Sequence, residues 1–175
     1  RLRVYANGWY HHGPPADYAA DAKATVARGF TALKFDPFPG PWRTHISRDA
    51  EQQVVETVRA VRDAVGPKVD LLIEVHRRLA PMHAVRVARM LEPFEPFWYE
   101  EPVSSRDLEA LAECRREIRT PIVTGPRACT RVQLPAAATQ PRPRVTANQR
   151  LKRTRTTPER ATSKSAGPSR VAPNG

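Results

Sequence analysis

The chain has 175 residues, the size of one ordinary domain or of part of a larger one, and its 29 Lys and Arg against 18 Asp and Glu give a formal net charge of +11. Eleven of these basic side chains and one acid lie in residues 126–175, so residues 1–125 are nearly neutral, with 18 basic and 17 acidic side chains. The sequence has no apolar run of the roughly 18 residues that cross a bilayer, no segment that resembles a signal peptide and only two cysteines, so we expect a reduced, cytoplasmic protein without membrane partners or a disulfide framework.

The first half of the neutral segment alternates apolar runs with amphipathic stretches. An apolar run over residues 2–6 predicts a strand, and residues 16–28 predict a helix that Gly29 ends. A second strand is predicted over residues 31–35. The clearest helix follows over residues 48–65, because valines recur there at helical spacing and a Gly-Pro pair stops the pattern.

The second half continues this alternation. The predicted strands are residues 69–75, 97–99 and 121–124. The predicted helices are residues 81–91 and 105–118. Ser104 or Ser105 is the expected N-cap of the last helix. Five strands separated by four helices predict parallel strands joined by crossover helices.

Two architectures fit this order, a doubly wound sheet and a (β/α)8 barrel. No G-x-G-x-x-G motif follows the first strand, which counts against a dinucleotide-binding sheet. A full barrel needs about 250 residues, so residues 1–125 would form just over half of one. Residues 126–175 contain seven Pro and no Phe, Trp or Tyr, and this composition predicts a disordered, low-complexity basic tail.

Acidic side chains end two successive predicted strands. Ligands of parallel α/β folds meet the carboxyl ends of the strands, where Glu74 and Glu100 lie. Adjacent strands are about 4.8 Å apart, so the two carboxylates could share a hard divalent cation such as Mg²⁺. The neighbouring Glu101 adds a like charge that is costly without a cation. The alternative is that these acids are solvated or form ordinary ion pairs.

Further polar side chains follow the same strand ends. His76 lies two residues past the first of the two acids, on the same side of a strand, and is suited to acid–base chemistry; the alternative is an ordinary surface or core histidine. Lys34 and Asp36 share a face, where they could bind an anionic substrate or form an ion pair, and Arg77 with Arg78 could hold a carboxylate. The candidate substrate-binding residues are Lys34, Asp36, Arg77 and Glu101.

Five segments together resemble the enolase superfamily. They are residues 29–37 (GFTALKFDP), 70–76 (DLLIEVH), 91–94 (LEPF), 97–103 (FWYEEPV) and 121–125 (PIVTG). Within that superfamily, residues 2–125 are similar to the mandelate racemase/muconate lactonizing group and to its galactonate and gluconate dehydratase-like members.

The resemblance implies a modified TIM barrel that holds Mg²⁺ with acids at the ends of strands three, four and five. Glu74 would be the first ligand, Glu100 the second, and His76 the general acid that protonates the departing hydroxyl of a small sugar acid. The implied reaction removes the proton α to a carboxylate, forms an enediolate that the metal stabilises, and eliminates water. Such a relative could also be a homo-oligomer.

The sequence departs from the family after residue 125. Pro126 stands where the family has its third acidic ligand, and we expect the later barrel strands and the N-terminal capping domain of the family to be missing. We therefore expect an inactive fragment, and a shift of reading frame would explain the break. The alternative is a non-enzymatic nucleic-acid-binding or interaction protein that uses the basic tail. A nucleic-acid partner is disfavoured because the tail has no aromatic residues for stacking.

Overall fold

A computed structural model describes residues 3–38, 40 and 44–124 of the chain. Helices and parallel strands alternate through this part. The helices are α1 (Pro15–Ala27), α2 (Arg48–Val65), α3 (Pro81–Leu91) and α4 (Leu108–Glu117), with a 3-10 turn at Glu92–Phe94. The strands are β1 (Ala32–Phe35), β2 (Asp70–Glu74), β3 (Trp98–Glu100) and β4 (Ile122–Val123). The predicted boundary at residue 125 and the predicted basic tail lie outside the described residues.

The four strands form one parallel sheet in the order β1-β2-β3-β4. Each strand pairs with the next in the chain, in registers that include Ala32↔Asp70, Leu72↔Trp98 and Tyr99↔Ile122. A doubly wound sheet would reverse its strand order at a switch point. In the described part of the chain, each strand is added at the same edge of the sheet, as in the wall of a barrel. The fold is therefore the partial α/β barrel that the resemblance implies.

The strand predicted over residues 2–6 is reduced to a single bridge. Ala6 pairs with Leu33, and the Ala6 amide donates to the Ala32 carbonyl at 2.9 Å while the Lys34 amide donates to the Ala6 carbonyl at 2.8 Å. Residues 3–5 are exposed, so burial does not hold them against β1. The prediction was therefore right about the neighbour of β1 and wrong about the length of the strand.

Local chemistry sets the ends of the helices. The Ser47 hydroxyl accepts the Ala50 amide at 3.2 Å and begins α2, which ends at Gly66 with a φ of 74°. The N-cap of α4 is Asp107, whose Oδ1 accepts the Ala110 amide at 2.9 Å, so the prediction of Ser104 or Ser105 was wrong. Ser104 instead accepts the Arg106 amide at 3.3 Å, within the turn before the helix.

The core lies between the sheet and its helices. Alternate strand residues point outward and are buried beneath α2, α3 and α4; they include Leu33, Phe35, Leu71, Ile73 and Tyr99. The same alternation turns Lys34, Glu74 and Glu100 to the opposite face. None of the helices in the described ranges is long and apolar enough to span a membrane.

Candidate active site

Two carboxylates from neighbouring strands converge on one ammonium group. Glu74 ends β2 and pairs in register with Glu100, which ends β3. The Lys34 Nζ, from β1, lies 2.8 Å from Glu74 Oε2 and 2.7 Å from Glu100 Oε1. The exposed fractions of the three side chains are 12% for Lys34, 7% for Glu74 and 14% for Glu100, so water screens these charges weakly. The structure thus brings the two predicted metal ligands together around a cation of the chain itself.

The two acids set the charge of Lys34. Burial alone would lower the pKa of Lys34, but hydrogen bonds to Glu100 and Glu74, together with their negative charges, outweigh burial and raise it above its usual value. Lys34 is therefore a cation at neutral pH. With both carboxylates ionised, the three groups carry one negative charge in excess, which a further cation would offset.

Each carboxylate has a second hydrogen-bond donor. The backbone amide of His76 donates to Glu74 Oε1 at 3.0 Å, and the indole of Trp98 donates to Glu100 Oε2 at 3.1 Å. These two donors fix the direction in which the acids face Lys34. The contact of Trp98 was missed at the sequence level, although its place two residues before Glu100 on one strand puts both side chains on one face.

The His76 ring lies at the end of β1. Strand β2 ends at Glu74, and His76 has a left-handed backbone with a φ of 56°, so strand alternation no longer directs its side chain. Its Nδ1 is 2.9 Å from Asp36 Oδ2. Arg78 also donates to Asp36 Oδ2, and its Nη2 is 3.2 Å from the same ring nitrogen. Asp36, His76 and Arg78 form a second cluster beside Lys34 and the two acids.

The loops after β2 and β3 hold unusual backbone conformations. His76, Arg77 and Glu101 have φ values of 56°, 60° and 46°, and a residue other than glycine costs of the order of 1 kcal/mol or more in this region. The Arg77 amide donates to the Glu101 carbonyl at 2.7 Å, and the Glu101 amide donates to Val123 at 2.8 Å. Arg77 Nε is also 3.3 Å from Glu101 Oε2. Such backbone strain is concentrated at functional sites. Here it affects His76, the predicted general acid, and two residues next to it in the structure.

Tyr18 on α1 supports this cluster and was not found from the sequence. Its hydroxyl donates to the Asp36 carbonyl at 3.1 Å and is 3.0 Å from His12 Nδ1. Burial raises the pKa of Tyr18 to about 12, with a smaller contribution from Tyr10, so the hydroxyl keeps its proton. The helical pattern alone marks Tyr18 as a core residue, which explains why its hydrogen bond was not predicted.

A sequence model described as "Enolase C-terminal domain-like" matches residues 17–142, which is most of the chain. The chain belongs to this family. The match to the enolase C-terminal domain-like model runs past Gly125, where the composition changes. Within residues 3–38, 40 and 44–124, no group of three or more His, Cys, Asp or Glu side chains is arranged to hold a metal ion.

Individual members of the family resemble the chain over about three quarters of its length. A D-gluconate dehydratase from Thermoproteus tenax is 44% identical over 128 residues, which are 73% of this chain and 26% of that protein. A D-gluconate/D-galactonate dehydratase from Picrophilus torridus is 38% identical over 127 residues, 72% of this chain and 32% of the relative. A solved mandelate racemase/muconate lactonizing enzyme from Jannaschia sp. CCS1 superposes with a TM-score of 0.69 at 34% identity, covering 79% of this chain and 38% of that one.

Proposed function

We propose that this chain supplies metal-binding and proton-donating residues of a Mg²⁺-dependent sugar-acid dehydratase. The observation that carries the proposal is the convergence of Glu74 and Glu100 on one largely buried cation, with His76 two residues after the end of β2. The two relatives named for D-gluconate and D-galactonate support the substrate class. Because the chain spans 26% and 32% of those relatives, both the activity and the substrate are proposals.

Glu74 and Glu100 suit Mg²⁺ as ligands. Carboxylate oxygens are hard donors, and Mg²⁺ is commonly held by one or two carboxylates with water in its remaining positions. The excess negative charge of the two acids with Lys34 also favours a divalent cation. A bound Mg²⁺ would supply positive charge where negative charge develops as the proton α to the substrate carboxylate is removed. Pro126, at the place of the expected third ligand, lies outside the described residues.

His76 is the proposed acid for the leaving group. In the elimination, a general base takes the proton α to the carboxylate, and the electrons of that C–H bond form the new C=C bond. The C–O bond of the neighbouring carbon breaks, and its oxygen takes a proton from the imidazolium and leaves as water. His76 suits this role because its side chain is 49% exposed while its ring is held by Asp36.

Two basic side chains among the candidate substrate residues are the proposed hydrogen-bond donors to the carboxylate of a sugar acid. Lys34 lies between Glu74 and Glu100, and Arg77 is partly exposed beside Glu101. Guanidinium and ammonium groups both bind carboxylates well in sites of low exposure. The acids Asp36 and Glu101 are themselves held in ion pairs, so their proposed part is to orient these basic groups and His76.

Metal binding by the full chain is the first test. Titration calorimetry with Mg²⁺ is expected to show binding that Glu74→Gln and Glu100→Gln each weaken at least tenfold, because each variant removes a charged ligand. Glu113→Gln is a matched control, since Glu113 is exposed on α4. Mg²⁺ affinity that neither acid variant changes would contradict the proposal.

Turnover is the second test. The chain is incubated with Mg²⁺ and D-gluconate or D-galactonate, and the keto-acid product is measured. Any activity present is expected to be lost in His76→Asn, with Mg²⁺ binding retained because the imidazole is not a proposed ligand. Turnover that survives this substitution would refute the role of His76, and turnover by the unchanged chain would refute the sequence-based prediction of an inactive fragment.

The alternative function has no comparable support. A nucleic-acid-binding or interaction protein would use the basic residues 126–175, which lie outside the described residues.

A further inference from the structure

Both carboxylate oxygens of Asp36 already have partners within the chain. Its side chain is 4% exposed at the end of β1. Oδ1 accepts the Phe38 amide at 3.0 Å, and Oδ2 contacts both His76 Nδ1, at 2.9 Å, and the guanidinium of Arg78. Substrate binding was the role that the sequence suggested, and these contacts favour a different one.

The two neighbours of His76 Nδ1 require opposite forms of the ring. A neutral imidazole has one N–H donor and one acceptor nitrogen. Asp36 can only accept a hydrogen bond from Nδ1, whereas Arg78, 3.2 Å away, can only donate to it. The contacts alone therefore leave two tautomers, Nδ1–H and Nε2–H, to be distinguished.

Energetics decide between them. A bare Nδ1 would face the lone pairs of a carboxylate oxygen at 2.9 Å, which is repulsive. A protonated Nδ1 gives a charge-assisted hydrogen bond to Asp36. Arg78 then gives up its 3.2 Å contact with the ring nitrogen, but its guanidinium still donates to the same carboxylate.

We propose that Asp36 is a positioning residue that holds His76 in the Nδ1–H tautomer and leaves Nε2 as its reactive nitrogen. Within the described part of the chain, no hydrogen bond is made to Nε2. The left-handed backbone of His76 turns its ring toward β1, and the Tyr18 hydroxyl holds the Asp36 carbonyl at 3.1 Å. The backbone of His76 and Tyr18 of α1 thus both support this contact.

The tautomer has a consequence for the elimination, and this consequence rests on the proposed function. An imidazolium that gives its Nε2 proton to the departing hydroxyl becomes the neutral Nδ1–H form. Because Asp36 accepts from Nδ1 at 2.9 Å, Nε2 is the nitrogen left to face the departing hydroxyl. The tautomer assignment itself does not depend on any activity.

The test is ¹⁵N NMR of the full chain with labelled histidine, in alkaline solution where imidazole is neutral. The chain has five histidines, and the signals of His76 are those that disappear in His76→Asn. We expect hydrogen on Nδ1 of His76 in the unchanged chain. In Asp36→Asn the ratio of Nδ1–H to Nε2–H should fall about tenfold or more, because a charge-assisted acceptor is replaced by an amide that can donate.

Two further variants make the result specific. Asp17→Asn on the exposed side of α1 should leave the ratio unchanged, and Asp36→Glu, which keeps a carboxylate, should restore part of the Nδ1–H form. A purely structural role for Asp36 would not distinguish its Asn and Glu variants in this way.

The proposal is overturned if His76 is mainly Nε2–H in the unchanged chain, or if Asp36→Asn leaves the ratio as it was. An Nδ1–H ring in a chain that neither binds Mg²⁺ nor dehydrates sugar acids would refute the proposed function and leave this inference standing.

Discussion

Single residues decide the electrostatics of the candidate site. Lys34 is the only described cation that bonds both Glu74 and Glu100, and each bond is short. Breaking a buried ion pair by removing one partner is costly, because the remaining charges have neither water nor a counter-ion. Lys34 is therefore the residue that offsets the charge of two adjacent, largely buried carboxylates.

Replacement of Lys34 should expose this dependence. We expect Lys34→Met to lower the free energy of unfolding by about 3–5 kcal/mol, because two largely buried acids lose their shared cation. Mg²⁺ should then raise the melting temperature of this variant more than that of the unchanged chain, since the ion takes over the role of the ammonium group. Thermal unfolding with and without Mg²⁺ measures both effects.

Lys23→Met is the control for that experiment, because Lys23 is exposed on α1 and should change stability little in either buffer. A Lys34→Met chain as stable as the control would show that the two acids do not need the ammonium group.

Strand alternation and register were enough to predict the positions of site residues that lie within the strands. They placed Glu74 beside Glu100 correctly, since both residues belong to paired strands. They could not place the ring of His76 or the carboxylate of Asp36, because both residues lie past the end of a strand. Histidine is enriched among the non-glycine residues that adopt a left-handed φ, but such residues are a small minority, so its presence alone did not predict this conformation.

At the scale of elements, helices with chemical signals at their ends were predicted to the residue. Both Arg48–Val65 and Pro81–Leu91 agree with prediction, since Ser47 caps the first, Gly66 ends it and Pro81 begins the second. Helix Leu108–Glu117 begins later than predicted, because a turn precedes it. The later start follows from the Asp107 N-cap, a local signal that the expectation of a serine cap passed over.

A buried carboxylate joins α2 to α3. Glu51 on α2 has a side chain that is 1% exposed, and its Oε1 lies 3.1 Å from His83 Nδ1 and 2.9 Å from Arg86 Nε, both on α3. Arg48 Nη1 is 3.7 Å from its other oxygen. Burial alone would raise the pKa of Glu51, but hydrogen bonds from Arg86 and His83 outweigh it and lower the pKa below the usual value.

The lowered pKa of Glu51 predicts acid sensitivity. A carboxyl whose pKa is lower in the folded state contributes stability above its unfolded pKa, and that contribution is lost as the pH falls through the folded value. Glu51→Gln should therefore cost about 2–3 kcal/mol at neutral pH and less below pH about 4. Urea unfolding at a series of pH values measures this difference.

Glu56→Gln is the matched control, since Glu56 is exposed on the same helix and should change stability only slightly. A cost for Glu51→Gln that stays constant from neutral to acidic pH would contradict a role for the ionised carboxylate.

At the scale of the whole described unit, one thiol reports on the integrity of the core. Cys114 on α4 is fully buried, and burial, with a smaller contribution from Glu113, raises its pKa from 9.0 to about 12. That rise reduces the thiolate fraction about a thousandfold near neutral pH. Packing between the sheet and α4 thus keeps solvent away from Cys114 and keeps its sulfur protonated, the less reactive form.

Thiol labelling tests this packing. In a chain with Cys129→Ser, which removes the thiol outside the described residues, Cys114 should react with a disulfide reagent at least a hundredfold more slowly in buffer than in denaturant. The labelling rate against denaturant concentration gives the free energy of the opening. Labelling in buffer as fast as that of the unfolded chain would mean that the α4 layer is not packed as described.

The sequential order of the strands has a consequence for how the site is assembled during synthesis. Each strand pairs with the one made just before it, so a ribosome that delivers the chain from its N-terminal end supplies every strand after its partner. Lys34 is made first, Glu74 next and Glu100 last. The ammonium group of Lys34 is therefore synthesised before the carboxylates of Glu74 and Glu100. Each acid can pair with this counter-ion as its strand joins the sheet.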